Sequence, residues 1–145
     1  MRTSVALAAA ALCACGESRP VAGSSLPICP SAIQATYTSI DQTLLKVHCT
    51  ACHTGQQARG LLDLSGDAYD ALVGFPAQNV GASTPPPGLL RVKPGDPDTS
   101  LLWQKLVIDG VSPLYGSGMP QNAPGTVCQA ASDAVRAWIL AGAPR

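Results

Sequence analysis

The chain has 145 residues, 46% of them hydrophobic and 12% charged, with nine basic and nine acidic side chains that cancel to a net charge of zero. That length suits one domain, and cations scattered singly without a basic patch or tail exclude a nucleic-acid binder. Tyr37, Tyr69, Phe75, Trp103, Tyr115 and Trp138 are the whole aromatic inventory, so short helices, long ordered loops and an interior filled partly by something other than side chains are expected.

Arg2 is the only charge before an apolar, alanine-rich run from Val5 to Leu12. The run is too short to span a bilayer and has the proportions of a secretory signal. It ends in Leu12-Cys13-Ala14-Cys15, which resembles the lipobox of bacterial lipoproteins. That resemblance implies a signal peptide over residues 1–14, loss of Cys13, and lipidation of Cys15 as the mature N-terminus. A cleaved signal that merely ends near a cysteine is the plainer alternative. Residues 15–28, small and polar in their first half, read as a flexible tether, with the folded domain over residues 29–145.

Ser39, followed three residues on by Gln42, has the pattern of a capping box, and Ile40, Leu44 and Val47 then share one face. A helix is expected from about residue 40 into the Cys49 region. There it meets Cys49-Thr50-Ala51-Cys52-His53, the Cys-x-x-Cys-His pentapeptide through which c-type haem is attached. Each part has a task. Three residues of near-helical chain bring both sulfurs to the vinyl edges of one porphyrin, and the histidine projects toward iron. A redox-active Cys-x-x-Cys would want a βαβ layout that the sequence lacks. Half of a zinc site would want further ligands close by, whereas the nearest other sulfur is 20 residues upstream and the only spare histidine is His48.

Leu61 to Ser65 alternates weakly, and Gly66 to Val73 reads as a short helix ending at Gly74. Pro85-Pro86-Pro87 within residues 81–88 predicts an extended surface excursion. Asp96-Pro97 is a helix start, with aspartate as N-cap and proline at the first helical position, ahead of Leu101, Leu102, Lys105 and Leu106. A last helix is expected at about Gln129 to Leu140, burying Ala131, Val135, Trp138 and Ile139 and ending at Gly142.

Met119, in Tyr115-Gly116-Ser117-Gly118-Met119-Pro120, is the only methionine besides Met1. A thioether favours ferrous iron and raises its potential, so Met119 is the candidate distal ligand, with a gap-filling core methionine as the alternative. His48 adjoins the attachment site too closely to reach the far face and reads as a surface residue. Lys46, Lys93 and Lys105 would coordinate only when deprotonated and read as solvated. Arg91 and Lys93 are candidates to meet haem propionates, as is the indole of Trp103, while Trp103 and Trp138 are otherwise ordinary core packing. With Cys13 and Cys15 assigned to export, Cys29 and Cys128 remain, and pairing them as a disulfide completes the inventory in an oxidising compartment.

Taken with the pentapeptide, Gly60-Leu61-Leu62-Asp63-Leu64, Pro94-Gly95-Asp96-Pro97-Asp98-Thr99-Ser100-Leu101-Leu102, Met119-Pro120 and Ala137-Trp138-Ile139-Leu140-Ala141-Gly142-Ala143 resemble a monohaem c-type cytochrome of the class I fold, of the kind found in planctomycete and myxobacterial secreted proteins. The resemblance spans about residues 30–143. It implies an all-α domain wrapped around one covalent haem, Cys49 and Cys52 as thioether sites, His53 as proximal and Met119 as distal ligand. It further implies a periplasmic, lipid-anchored, non-enzymatic one-electron carrier that meets redox partner proteins. The stretch from Gly74 to Leu90 is longer and richer in proline than a minimal class I cytochrome, and a lysine-rich docking face is absent. Two other functions fit the same residues: a haem sensor or peroxidase-like protein with a labile distal ligand, and a haemless lipoprotein with a zinc or disulfide Cys49–Cys52 unit.

Overall fold

The computed structural model describes residues 26–78 and 80–145. The expected signal peptide, the lipidation site Cys15 and residues 15–25 of the tether lie outside the described residues. Residue 28 does not belong to a tether: Ile28 N donates to Thr126 O and Cys128 N donates to Ile28 O, at 2.8 and 3.0 Å. Beside this parallel bridge Cys29 and Cys128 are bonded, with Cα atoms 5.3 Å apart.

The first helix, α1, is one continuous rod made of Tyr37–Ile40, a π-helical turn Asp41–Leu45, and Lys46–His48. It starts three residues earlier than the capping-box pattern suggests. Thr36 is the extended residue at the N-cap, and its hydroxyl accepts from Ser39 N at 3.3 Å. Ser39 lies inside the helix and its hydroxyl accepts from Gln34 N instead, at 2.9 Å. Ile40, Leu44 and Leu45 are buried, while Val47 is 65% exposed. Along the helix with its widened π turn, the buried position is Leu45 and not Val47, two residues earlier than the sequence pattern suggests.

Helix α2 (Tyr69–Leu72) is the short element expected before Gly74. The proline-rich excursion that follows carries no regular structure through residues 81–88. Asp96 caps a 3-10 turn, Pro97–Thr99, and does not open an α-helix directly. Ser100 is extended and fully buried, its hydroxyl donating to Asp96 O at 2.7 Å and accepting from Lys93 N at 2.8 Å. Those bonds hold Ser100 out of the helical region, so α3 begins only at Leu101 and runs Leu101–Val107. Gly95 N donates to Ile139 O at 2.7 Å, docking this corner on the last helix.

The strands β1 (Val111–Ser112) and β2 (Gly116–Ser117) form an antiparallel hairpin, which an all-α expectation does not include. Helix α4 spans Gln129–Leu140 and buries Ala131, Val135, Trp138 and Ile139 completely. It meets α1 where the Tyr37 and Trp138 rings lie 6.0 Å apart. Leu44, Leu45, Leu64, Leu72, Val92 and Leu106 complete the core. Each such side chain contributes roughly 1.5–3 kcal/mol by leaving water.

The Asp96 corner makes stability pH-dependent. Hydrogen bonds from the Thr99 hydroxyl (2.6 Å) and then Lys93 Nζ (2.9 Å) hold the Asp96 carboxyl down at about 2. A carboxyl whose folded pKa lies below its unfolded value of about 4 stabilises above that pH and loses the contribution as pH falls toward the folded value. Asp96→Asn is therefore expected to lower the Tm at pH 7, and the gap to wild type should close between about pH 4 and pH 2. Thermal melts across that range check this; a gap independent of pH would assign the effect to shape and not charge.

Candidate functional site

The last turn of α1 continues into the pentapeptide. Cys49 N donates to Leu45 O at 2.9 Å, and Cys52 N and His53 N both donate to Cys49 O at 3.2 and 3.1 Å. The two cysteines and His53 thus ride one helical-type turn, as the spacing requires. Leu64 N donates to His53 O at 2.8 Å and Arg59 N to Cys52 O at 3.1 Å, closing the intervening loop from both ends.

The imidazole of His53 is half-buried, and its Nδ1 lies 2.8 Å from Arg59 O. A carbonyl only accepts, so Nδ1 carries the proton and Nε2 presents a lone pair. Burial lowers the His53 pKa below its ordinary value, which keeps the ring in the neutral form that a metal ligand needs. Burial also pushes the Cys49 thiol up to about 11. Cys49 is the free thiol among the described residues, its Sγ 3.7 Å from Leu44 O. Cys52 is disulfide-bonded, and attachment of haem at its sulfur requires that bond to be reduced first.

The acceptor carbonyl is held by unusual backbone. Gly60 and Leu61 both have positive φ, 65° and 51°. Glycine adopts this region freely, whereas leucine is strained there. Arg91, only 4% exposed, supplies the compensation: Nη2 donates to Gly60 O (3.3 Å) and Leu61 O (2.8 Å), and Nη1 donates to Ala71 O (2.8 Å). Its guanidinium also covers the Phe75 ring at 4.6 Å. Arg91 therefore serves the chain's own carbonyls at this turn. Lys93 is committed as well, in an exposed ion pair with Asp96 at 2.9 Å.

The methionine loop is a neighbour of this turn. Arg59 Nη1 donates to Gln121 Oε1 at 2.7 Å, joining the residue that orients His53 to a side chain two residues past Met119. Met119 is half-buried, its peptide bond to Pro120 is cis, and its amide donates to Lys105 O at 2.6 Å. Trp103 Nε1 is buried with no hydrogen-bond partner among the described residues, and Arg136 lies over its ring at 5.6 Å. A buried indole N–H without an acceptor is costly, so Trp103 retains the capacity to donate to an anionic group.

His48 is exposed, as expected. Lys46 and Lys105 are half-buried and engaged with backbone carbonyls, not free in solvent. Lys46 Nζ donates to the carbonyls of Leu64 and Gly66, and Lys105 Nζ to those of Val80 and Ser117. Sequence reasoning missed the Arg59 carbonyl because a backbone acceptor leaves no side-chain signature. Gly60 was the only trace of the turn that aims it.

Among the described residues no cluster of three or more His, Cys, Asp or Glu side chains is placed to hold a metal ion. No helix among them is long and apolar enough to cross a membrane. Protein-family models, curated proteins and solved structures yield no match to this chain.

Proposed function

We propose that the chain is a monohaem c-type cytochrome, carrying one covalent haem on Cys49 and Cys52 and acting as a periplasmic one-electron carrier tethered through lipid on Cys15. The observation that carries this is the hydrogen bond from His53 Nδ1 to Arg59 O, at 2.8 Å. It fixes the tautomer and ring orientation of the one histidine in the pentapeptide and leaves Nε2 as the donor atom, the arrangement by which proteins prepare a metal-ligating imidazole. The residues fit the group in two further respects. The buried, unpartnered Trp103 Nε1 suits a propionate. The Arg59–Gln121 bond at 2.7 Å keeps the Met119 loop beside the His53 turn.

Haem c, once attached, supplies a one-electron iron couple. The chain's own residues then do the tuning. His53 and Met119 would hold the iron, and with both engaged water and small ligands would be kept from it. The soft Met119 sulfur favours the reduced state, and the carbonyl of Arg59 increases the basicity of His53 through its Nδ1–H. Held by these two residues, the group would supply electron transfer and would leave no place at the metal for a substrate. The zinc alternative lacks a cluster of ligands among the described residues, since a closed zinc site takes four.

An absorption spectrum of exported protein tests the proposal: a c-type α band with a weak near-infrared sulfur-to-iron band is expected. Met119→Ala should keep the covalent haem, lose the near-infrared band, and convert fully to a carbonyl adduct when reduced and exposed to carbon monoxide. Rapid carbon monoxide uptake by wild type would favour the sensor or peroxidase-like reading.

A further inference from the structure

The proline-rich excursion and Lys105 have no role in the haem-carrier proposal so far, yet both converge on the methionine loop. Thr84 N and Oγ1 reach Pro113 O at 2.9 and 3.2 Å, tying the excursion to the β1–β2 turn. Gly116 is buried with φ +73°, and a Cβ there would overlap the carbonyl oxygens of Val80 and Gly81. A Cβ at Gly118 would likewise overlap Ile108 O. The backbone at residues 116 and 118 is therefore pressed against the excursion and the end of α3, with no room for a side chain at either position.

Lys105 sits at this junction and binds it three ways. Its Nζ donates to Ser117 O at 2.9 Å and Val80 O at 3.2 Å, and its own carbonyl accepts from Met119 N at 2.6 Å. No carboxylate among the described residues is within ion-pair distance of its ammonium. Partial burial of a cation against neutral carbonyls alone is a poor way to gain stability, because an apolar side chain of similar length would avoid the desolvation cost. What the ammonium provides is direction: it joins the excursion, strand β2 and α3 at one point, two residues before Met119.

We infer that Lys105, together with the excursion carbonyl at Val80, forms a brace that holds the Met119 loop in its ligating position. Lys105 is on this account a positioning residue and the added length of the excursion is its abutment. The inference rests on the proposed function for its spectroscopic arm but not for its backbone arm.

The experiment uses exported wild-type protein with Lys105→Met and Lys105→Arg, reading amide hydrogen exchange over residues 116–119 and the near-infrared sulfur-to-iron band. Lys105→Met is expected to speed exchange at Gly118 and Met119 about tenfold or more. It should also weaken the near-infrared band and admit carbon monoxide to the reduced protein, with covalent haem content unchanged. Lys105→Arg, which keeps the donors, should restore the band. Exchange within twofold of wild type, with an undiminished band, would overturn the brace. If Lys105→Met does not yield soluble protein, Lys105→Gln is read against the same thresholds. Wild type without haem would defeat the proposed function alone, since the exchange comparison would still decide the brace.

Discussion

Cys49→Ala, Cys52→Ala and His53→Ala are each expected to abolish or nearly abolish covalent haem in the exported protein while leaving the helical fold in place. The loss should exceed the 10–100-fold that removal of an outer hydrogen-bonding partner typically costs a metal site. His53 supplies the only imidazole whose Nδ1 is tied to a carbonyl, at 2.8 Å from Arg59 O, and exposed His48 has no comparable support. The fold should survive because its apolar centre is built elsewhere, from Ile40, Leu44, Leu72, Val135, Trp138 and Ile139. Far-ultraviolet circular dichroism together with haem stain on a denaturing gel separates the two effects. Unchanged haem stain in His53→Ala would remove His53 from the site.

Replacing Cys29 and Cys128 together by serine is expected to destabilise the protein by on the order of 4 kcal/mol. The bond closes a loop with a sequence separation of 99 and joins the segment before α1 to the start of α4. Its effect in the chain-entropy account comes from the unfolded state, whose freedom grows with loop length. The bridge between Ile28 and Val127 adds two backbone hydrogen bonds at the same seam, and these should fray with it. Denaturant unfolding of the double variant measures the change. A loss below about 1 kcal/mol would show that the seam is held by packing alone.

How far the chain could be read in advance differs by element, for physical reasons. Helix α4 was legible to the residue because four apolar side chains at 3.6-residue spacing end at Gly142, so periodicity and stop signal agree. The start of α1 was misplaced because Thr36 and Ser39 are both good caps, and a tertiary choice, the Gln34–Ser39 bond, decided between them. Asp96-Pro97 did open a helical turn, but the buried Ser100 interrupts it, and no local propensity reveals that a serine will be enclosed.

At the site, Cys49, Cys52 and His53 were visible because attachment chemistry dictates both residue type and spacing. Arg91 was singled out as a partner for propionates on the strength of its charge. Its actual acceptors are the carbonyls of a left-handed Gly60–Leu61 turn, a need that arises only once the backbone has folded. Lys105 was read as solvated for the same reason in reverse: carbonyl acceptors at Val80 and Ser117 are distant in sequence and carry no signature.

The most direct measurement is the intact mass of the peptide containing residues 49–53, isolated from exported protein after reduction of disulfides. An attached haem should raise that mass by roughly 616 Da, with neither sulfur reacting with an alkylating reagent. A peptide of unmodified mass, with Cys49 alkylated directly and Cys52 alkylated once its disulfide is reduced, would contradict the assignment.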